Sequence, residues 1–178
     1  MSESYPLTFS DADQKMYEKL DAAARDLYDS IAYGAFIIKK GWKAKPWGRG
    51  STYLQQSAFM TSMVVSYARA FATSYGWPKL PYVYLNAFDA PEMVLHERTL
   101  KLRNQLYAHT DSVNYPVKPY ASDLHSDIIH FQVLEMPYED IERLAGMCRK
   151  VIRQCLADQL DIKARYLNSQ SSSPLRVV

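Results

Sequence analysis

A chain of 178 residues suits one domain with a sizeable core, and at 48% hydrophobic and 22% charged it has the composition of a globular fold, not a disordered one. A net charge of +2 is too small to mark a nucleic-acid binder by bulk electrostatics. No apolar run reaches the roughly 18 residues that span a bilayer, and the opening MSESYPLTFSDADQK lacks the basic flank and apolar stretch of a secretory signal, so a cytoplasmic protein without membrane attachment is expected.

Four helical segments follow in chain order, with no internal repeat and no domain linker. The first opens at Ser10, with Asp13 placed to complete a capping box. Its apolar stripe is Met16, Leu20, Ala23, Leu27, Ile31, Ala35 and Ile38, spaced by threes and fours. The second starts near Thr52, with Gln55 at the capping-box position, and runs through Met60, Val64, Tyr67 and Phe71 until Gly76 and Pro78 stop it. Because Ser51 to Ala68 carries no charge and is apolar on most sides, this segment is expected to be the central helix.

The third helix opens at Asp89, with Glu92 as the partner of a third capping box, and carries PEMVLHERTLKLRNQLYAHTD. The fourth begins near Pro137, a residue suited to a first turn, with Glu139 and Asp140 just inside and Ile141, Leu144, Cys148, Val151 and Cys155 as its buried stripe. Between these two, SDIIHFQVLEM reads as a strand and NYPVKPY as its partner, a small hairpin appended to the bundle. The fold class is therefore mainly all-α, a four- to five-helix bundle, with residues 1–167 forming one domain and the polar stretch 168–178 a flexible tail. Cys148 and Cys155 lie about two turns apart on one helical face, roughly 10 Å, too far for a bridge, and read as buried reduced thiols.

LRNQLYAHTD, Leu102 to Asp111, places an arginine, an asparagine and a histidine within seven consecutive residues, just under two helical turns. Leu95, Thr99, Leu102, Leu106, His109 and Val113 share one stripe, and His96, Leu100, Arg103 and Tyr107 share a second. Arg103 and His109 are separated by about 120° of rotation and roughly 9 Å of rise, so they fit one cleft wall without touching. Two readings suit them. In the structural one, Arg103 pairs with a surface carboxylate and His109 bonds at the helix C-terminus, where a cationic imidazole is favoured. In the chemical one, Arg103 holds a phosphate bidentately while His109 moves a proton, a division of labour that suits metal-free RNA cleavage by the 2′-hydroxyl.

LKLRNQLYAHTD resembles the motif of the HEPN-domain family: an arginine, a polar residue that is often asparagine, and a histidine a few positions on. Arg103, Asn104 and His109 match it, with five residues between Arg103 and His109. The AH-x-D ending and His96, seven residues before Arg103, resemble the abortive-infection-like members of the Arg-x4-6-His ribonuclease group. The resemblance covers His96 to Asp111. It implies a small α-bundle that homodimerises, brings two motifs into one cleft and cleaves RNA without a metal, as a toxin of a toxin–antitoxin pair or a phage-defence effector, with an antitoxin protein as a further partner. Arg103, Asn104 and His109 are then the catalytic residues, with His96, Tyr107 and Asp111 as auxiliary ones. In the toxin subset regulated by nucleotidyltransferase antitoxins a tyrosine stands two positions after the histidine; here that position is Asp111, so that control is not implied. The alternative is a non-catalytic HEPN-like adaptor that dimerises or binds RNA.

A second candidate is KKGWKAKPWGRG, where Lys39, Lys40, Lys43, Lys45 and Arg49 are interleaved with Trp42 and Trp47 and no acid intervenes. Cations alternating with stacking aromatics suit single-stranded RNA; the alternative is a solvated connection whose tryptophans cap the bundle. His125 and His130 lie by the expected strand without a nearby cysteine, so no metal site is expected, and no phosphate loop or nucleophile elbow calls for a cofactor.

Overall fold

The computed structural model describes residues 7–45, 50–73, 76–107, 117–119, 127–129 and 136–171, with 105–107, 117–119, 127–129 and 169–171 described as backbone alone. The class is all-α. Four α-helices make up the body: α1 (Asp11–Lys40), α2 (Thr52–Phe71), α3 (Ala90–Tyr107) and α4 (Tyr138–Ser171). A 3-10 helix, Tyr82–Leu85, lies between α2 and α3. The β structure among the described residues is one three-residue antiparallel pair, Val117–Pro119 against Asp127–Ile129, with Lys118 opposite Ile128. This pair lies within the two segments expected to form the hairpin; the turn between them, and the strand expected on through Met136 apart from Met136 itself, lie outside the described residues.

Local chemistry sets the helix ends. Ser10 caps α1 by accepting the amide of Asp13 at 3.2 Å. Asp13 does not return the bond to the Ser10 amide; that amide donates to the Tyr166 hydroxyl, and the Asp13 carboxylate takes Tyr166 and Arg165. The box is thus traded for a tie between the first turn of α1 and the end of α4. Gly41 closes α1 in the left-handed region (φ 63°), its amide reaching Ile38, a conformation that costs glycine least. At α3 the box is complete: Asp89 accepts from the Glu92 amide at 2.8 Å and donates its own amide to Glu92 at 2.9 Å. At α2 the Gln55 box does not form. Ser51 makes no side-chain cap, and the helix ends at Phe71, ahead of Gly76. The α2 carbonyl end is met instead by Lys19, whose ammonium donates to the Ala72 carbonyl at 3.2 Å.

The central position belongs to α1, not to α2. α1 packs along its length against both α2 and α4, whereas α3 seats on α2 and touches α4 more lightly. The buried face of α1 is Lys19, Leu20, Ala23, Ala24, Leu27, Ser30, Gly34 and Ile37, so beyond Leu27 it departs from the expected stripe, and Ala35 is exposed. The departure has a cause. A Cβ on Gly34 would stand 2.8 Å from Ile141 Cγ2 and 3.1 Å from Met63 Sδ, and the Ser30 hydroxyl donates to the Met63 carbonyl at 3.0 Å. Small side chains let α2 and α4 approach α1 at one level. On α4, Ile141, Leu144, Cys148, Val151 and Cys155 are all buried as the spacing predicts, and Pro137 stands just outside the helix, its carbonyl accepting the amides of Asp140 and Ile141. α4 runs on through Ser171, so residues 168–171 of the expected tail continue the helix. Burial raises both thiols, Cys148 and Cys155, to about 12, which keeps them protonated and unreactive.

Gly34→Ala gains about 1 kcal/mol of helix propensity but forces two buried side chains apart, an overpacking that costs about 1–3 kcal/mol. A net loss of roughly 1 kcal/mol is expected, and several kcal/mol for Gly34→Leu. Urea midpoints unchanged in both variants would show that the three helices can separate without cost.

Candidate functional site

Arg103 lies in the penultimate turn of α3, half-buried, and its Nη1 donates to Asn104 Oδ1 at 3.2 Å. Arg103 projects toward the C-terminal end of α2 and forms part of the wall of a cleft of about 780 Å³ bounded by α1, α2 and Trp77. That cleft is balanced in charge: Glu18, Asp21, Asp26 and Asp29 face Lys19, Arg25, Arg69 and Arg103. Asp21 pairs with Arg25 at 2.5 Å, Asp26 pairs with Arg69, and Glu18 accepts the Trp77 indole N–H at 3.0 Å. Hydrogen bonds from Gln14 and Trp77 hold the Glu18 carboxyl below its usual range. Asn104 is exposed, Tyr107 closes α3, and His109 and Asp111 lie outside the described residues.

His96 is placed differently. It is 5% exposed, and its Nδ1 meets the Tyr67 hydroxyl at 2.9 Å. Phe71 packs edge-on against its ring at 4.8 Å. It is two turns from Arg103 along α3, roughly 10 Å. Burial pushes its pKa down, so the imidazole is neutral in the folded protein, and burial also pushes the Tyr67 phenol far above its ordinary range.

The basic segment lies apart from Arg103, at the C-terminal end of α1. Lys39, Lys40, Lys43 and Lys45 are exposed, with Lys40 over the Phe36 ring and Lys43 over the Tyr138 ring at 5.4 Å. Trp42 is half-buried, edge-on to Phe36 and Phe59, and its carbonyl accepts the Tyr138 hydroxyl at 2.9 Å. It therefore caps the bundle here. The buried Gln56 side chain clasps the Ala44 backbone from both sides, accepting its amide at 2.9 Å. A cavity of about 420 Å³ opens between Lys43, Lys45 and the start of α4. Trp47 and Arg49 lie outside the described residues. The structure does not bring this segment to Arg103: Gln56 and Arg69, their respective neighbours, are separated by roughly 20 Å of rise along α2.

No family model matches the chain, nor does any curated protein or solved structure. Among the described residues no three His, Cys, Asp or Glu side chains gather as a metal site, and no helix is long and apolar enough to cross a membrane.

Sequence reasoning missed Lys19, a lysine only 2% exposed beneath the cleft whose pKa burial lowers. The signal was present: Lys19, Ala23, Leu27 and Ser30 recur at four, four and three, the same spacing as the core face.

His96 provides a pH test. Its folded pKa lies below the unfolded value of about 6.5, so the unfolded chain binds the extra proton, and stability falls as pH drops below that value. Chemical denaturation between about pH 7.5 and 5.5 is expected to show this loss, and His96→Gln to flatten it. An equal slope in the variant would mean that the imidazole charges without cost.

Proposed function

We propose that the protein is a HEPN-like homodimeric endoribonuclease that works without a metal. The observation that carries the reading is the Arg103–Asn104 pair, bonded to each other at the edge of a cleft on the third helix of a four-helix fold. Arg103 binds the scissile phosphate, and Asn104 holds the guanidinium plane for bidentate contact. His109 removes the 2′-hydroxyl proton, the 2′-oxygen attacks phosphorus, and the 5′-oxygen leaves with a proton. The products are a 2′,3′-cyclic phosphate and a 5′-hydroxyl. One chain supplies one such histidine, so base and acid come from two copies about a two-fold axis. Leu156 and Leu160, exposed on α4 at helical spacing, are apolar surface available for burial in such an assembly.

The charge balance around Arg103 and its distance from the lysines favour a second reading, a HEPN-like adaptor that binds RNA through the loop and does not cut it. Toxin or phage-defence biology, and an antitoxin partner, belong to the first reading alone.

With purified protein and a labelled single-stranded RNA, cleavage is expected to survive EDTA. Arg103→Ala and His109→Ala are each expected to lower the rate by about 100- to 10,000-fold, with helical dichroism and melting temperature near those of the parent. Asn104→Ala should fall between them and the parent. An inert parent that still binds RNA, with binding lost on reversing Lys39 and Lys43, would select the adaptor. Light scattering at the mass of a single chain would remove the two-histidine mechanism.

A further inference from the structure

Between the 3-10 helix and the α2–α3 pair lies a second cavity, about 400 Å³, within the size range of small-molecule sites. Its walls are apolar: Phe71, Leu80, Tyr82, Leu85 and Leu100. Two groups break that surface, His96 and Lys79, and no carboxylate lines it among the described residues.

The state of His96 follows from its partner. The Tyr67 phenol is buried and keeps its proton, and the Nδ1 of His96 is its hydrogen-bond partner at 2.9 Å. The Tyr67 hydroxyl has no other hydrogen-bond partner among the described residues, so its O–H is satisfied when it donates to Nδ1, and in that tautomer the hydrogen of the neutral ring sits on Nε2. Nε2 makes no hydrogen bond among the described residues, and on this mostly buried side chain bordering the cavity it is an atom that solvent or a guest can reach. An N–H that borders an apolar cavity can donate to an acceptor that enters it. Lys79 is exposed and forms no ion pair among the described residues. The wall thus offers one fixed donor and one cation to a single guest.

We propose that this cavity is a binding site for a small carboxylate with a flat apolar body, its carboxylate taken by His96 Nε2–H and Lys79, and its body by Phe71, Leu85 and Leu100. Tyr82, exposed on the 3-10 helix, stands at the site's border and covers the bound ring. Tyr67 acts as a positioning residue, since its hydroxyl fixes the imidazole tautomer. The site is independent of RNA cleavage and stands or falls apart from it.

Titration calorimetry of the full chain with 2-naphthoate tests the assignment, with 2-naphthalenemethanol as the neutral isostere. Saturable one-to-one binding of naphthoate below about 1 mM is expected, with the alcohol at least tenfold weaker. Lys79→Glu, a surface change that leaves the fold intact, should weaken naphthoate about tenfold or more and leave the alcohol unchanged. His96→Gln should weaken it as well, and Tyr67→Phe by less. No saturable binding by the parent overturns the site. Equal affinity for acid and alcohol, or indifference to Lys79→Glu, overturns the carboxylate class.

Discussion

The close approach at Gly34 is the constraint on which the rest of the structure depends. One position on α1 must admit Met63 from α2 and Ile141 from α4, and a residue without a side chain does so without displacing either. Ser30, a turn earlier, fastens the same level by reaching the Met63 carbonyl. With α2 and α4 fixed on either side of α1, α3 has one place left, on the C-terminal half of α2. It is held there by Phe71 against His96 and fastened to α4 by Glu92–Lys150 and Arg98–Asp140. Both Arg103 and the His96 cavity take their surroundings from that docking.

Field strength separates the two candidate regions. The screening length at physiological salt is about 8 Å, shorter than the roughly 20 Å between the lysine segment and the level of Arg103. The lysines therefore act on a nucleic acid only where it touches them. Around Arg103 the carboxylates are matched by cations, largely in surface pairs that contribute little each. A phosphate entering there meets no long-range attraction and must be selected by geometry, a demand suited to a guanidinium already oriented by Asn104.

What could be read from the sequence was what local chemistry decides. Ser10, the Asp89–Glu92 box and the α4 stripe from Ile141 to Cys155 act within a few residues of themselves, and each is found where the pattern puts it. The α1 stripe failed beyond Leu27 because apolar periodicity overlooks Ser30 and Gly34, which are buried for their smallness. The absence of charge on α2 suggested a central helix, yet α2 packs mainly against α1 and more lightly against α3, while α1 is the helix that takes both α2 and α4. Gln55 has the box spacing from Thr52, but Thr52 is already helical, and the N-cap Ser51, four residues before Gln55, sits in the helical region, not the extended one a cap adopts. At the site, Arg103 and Asn104 are neighbours in sequence and in space. The bond between His96 and Tyr67, and the cavity they border, join residues 29 positions apart, and no spacing rule reports that.

Glu92 has a double role whose consequence is kinetic. The same carboxylate closes the first turn of α3 and receives Lys150 from the middle of α4 at 2.6 Å, while that lysine also holds the Ala87 carbonyl. Opening the first turn of α3 would strand a buried carboxylate and release the ammonium that steadies the preceding loop. Fraying, which ordinarily starts at helix ends with little cost, is thereby coupled to the body of the protein. The two capping amides, those of Asp89 and Glu92, are therefore expected to exchange more slowly than the amides of an ordinary helix end.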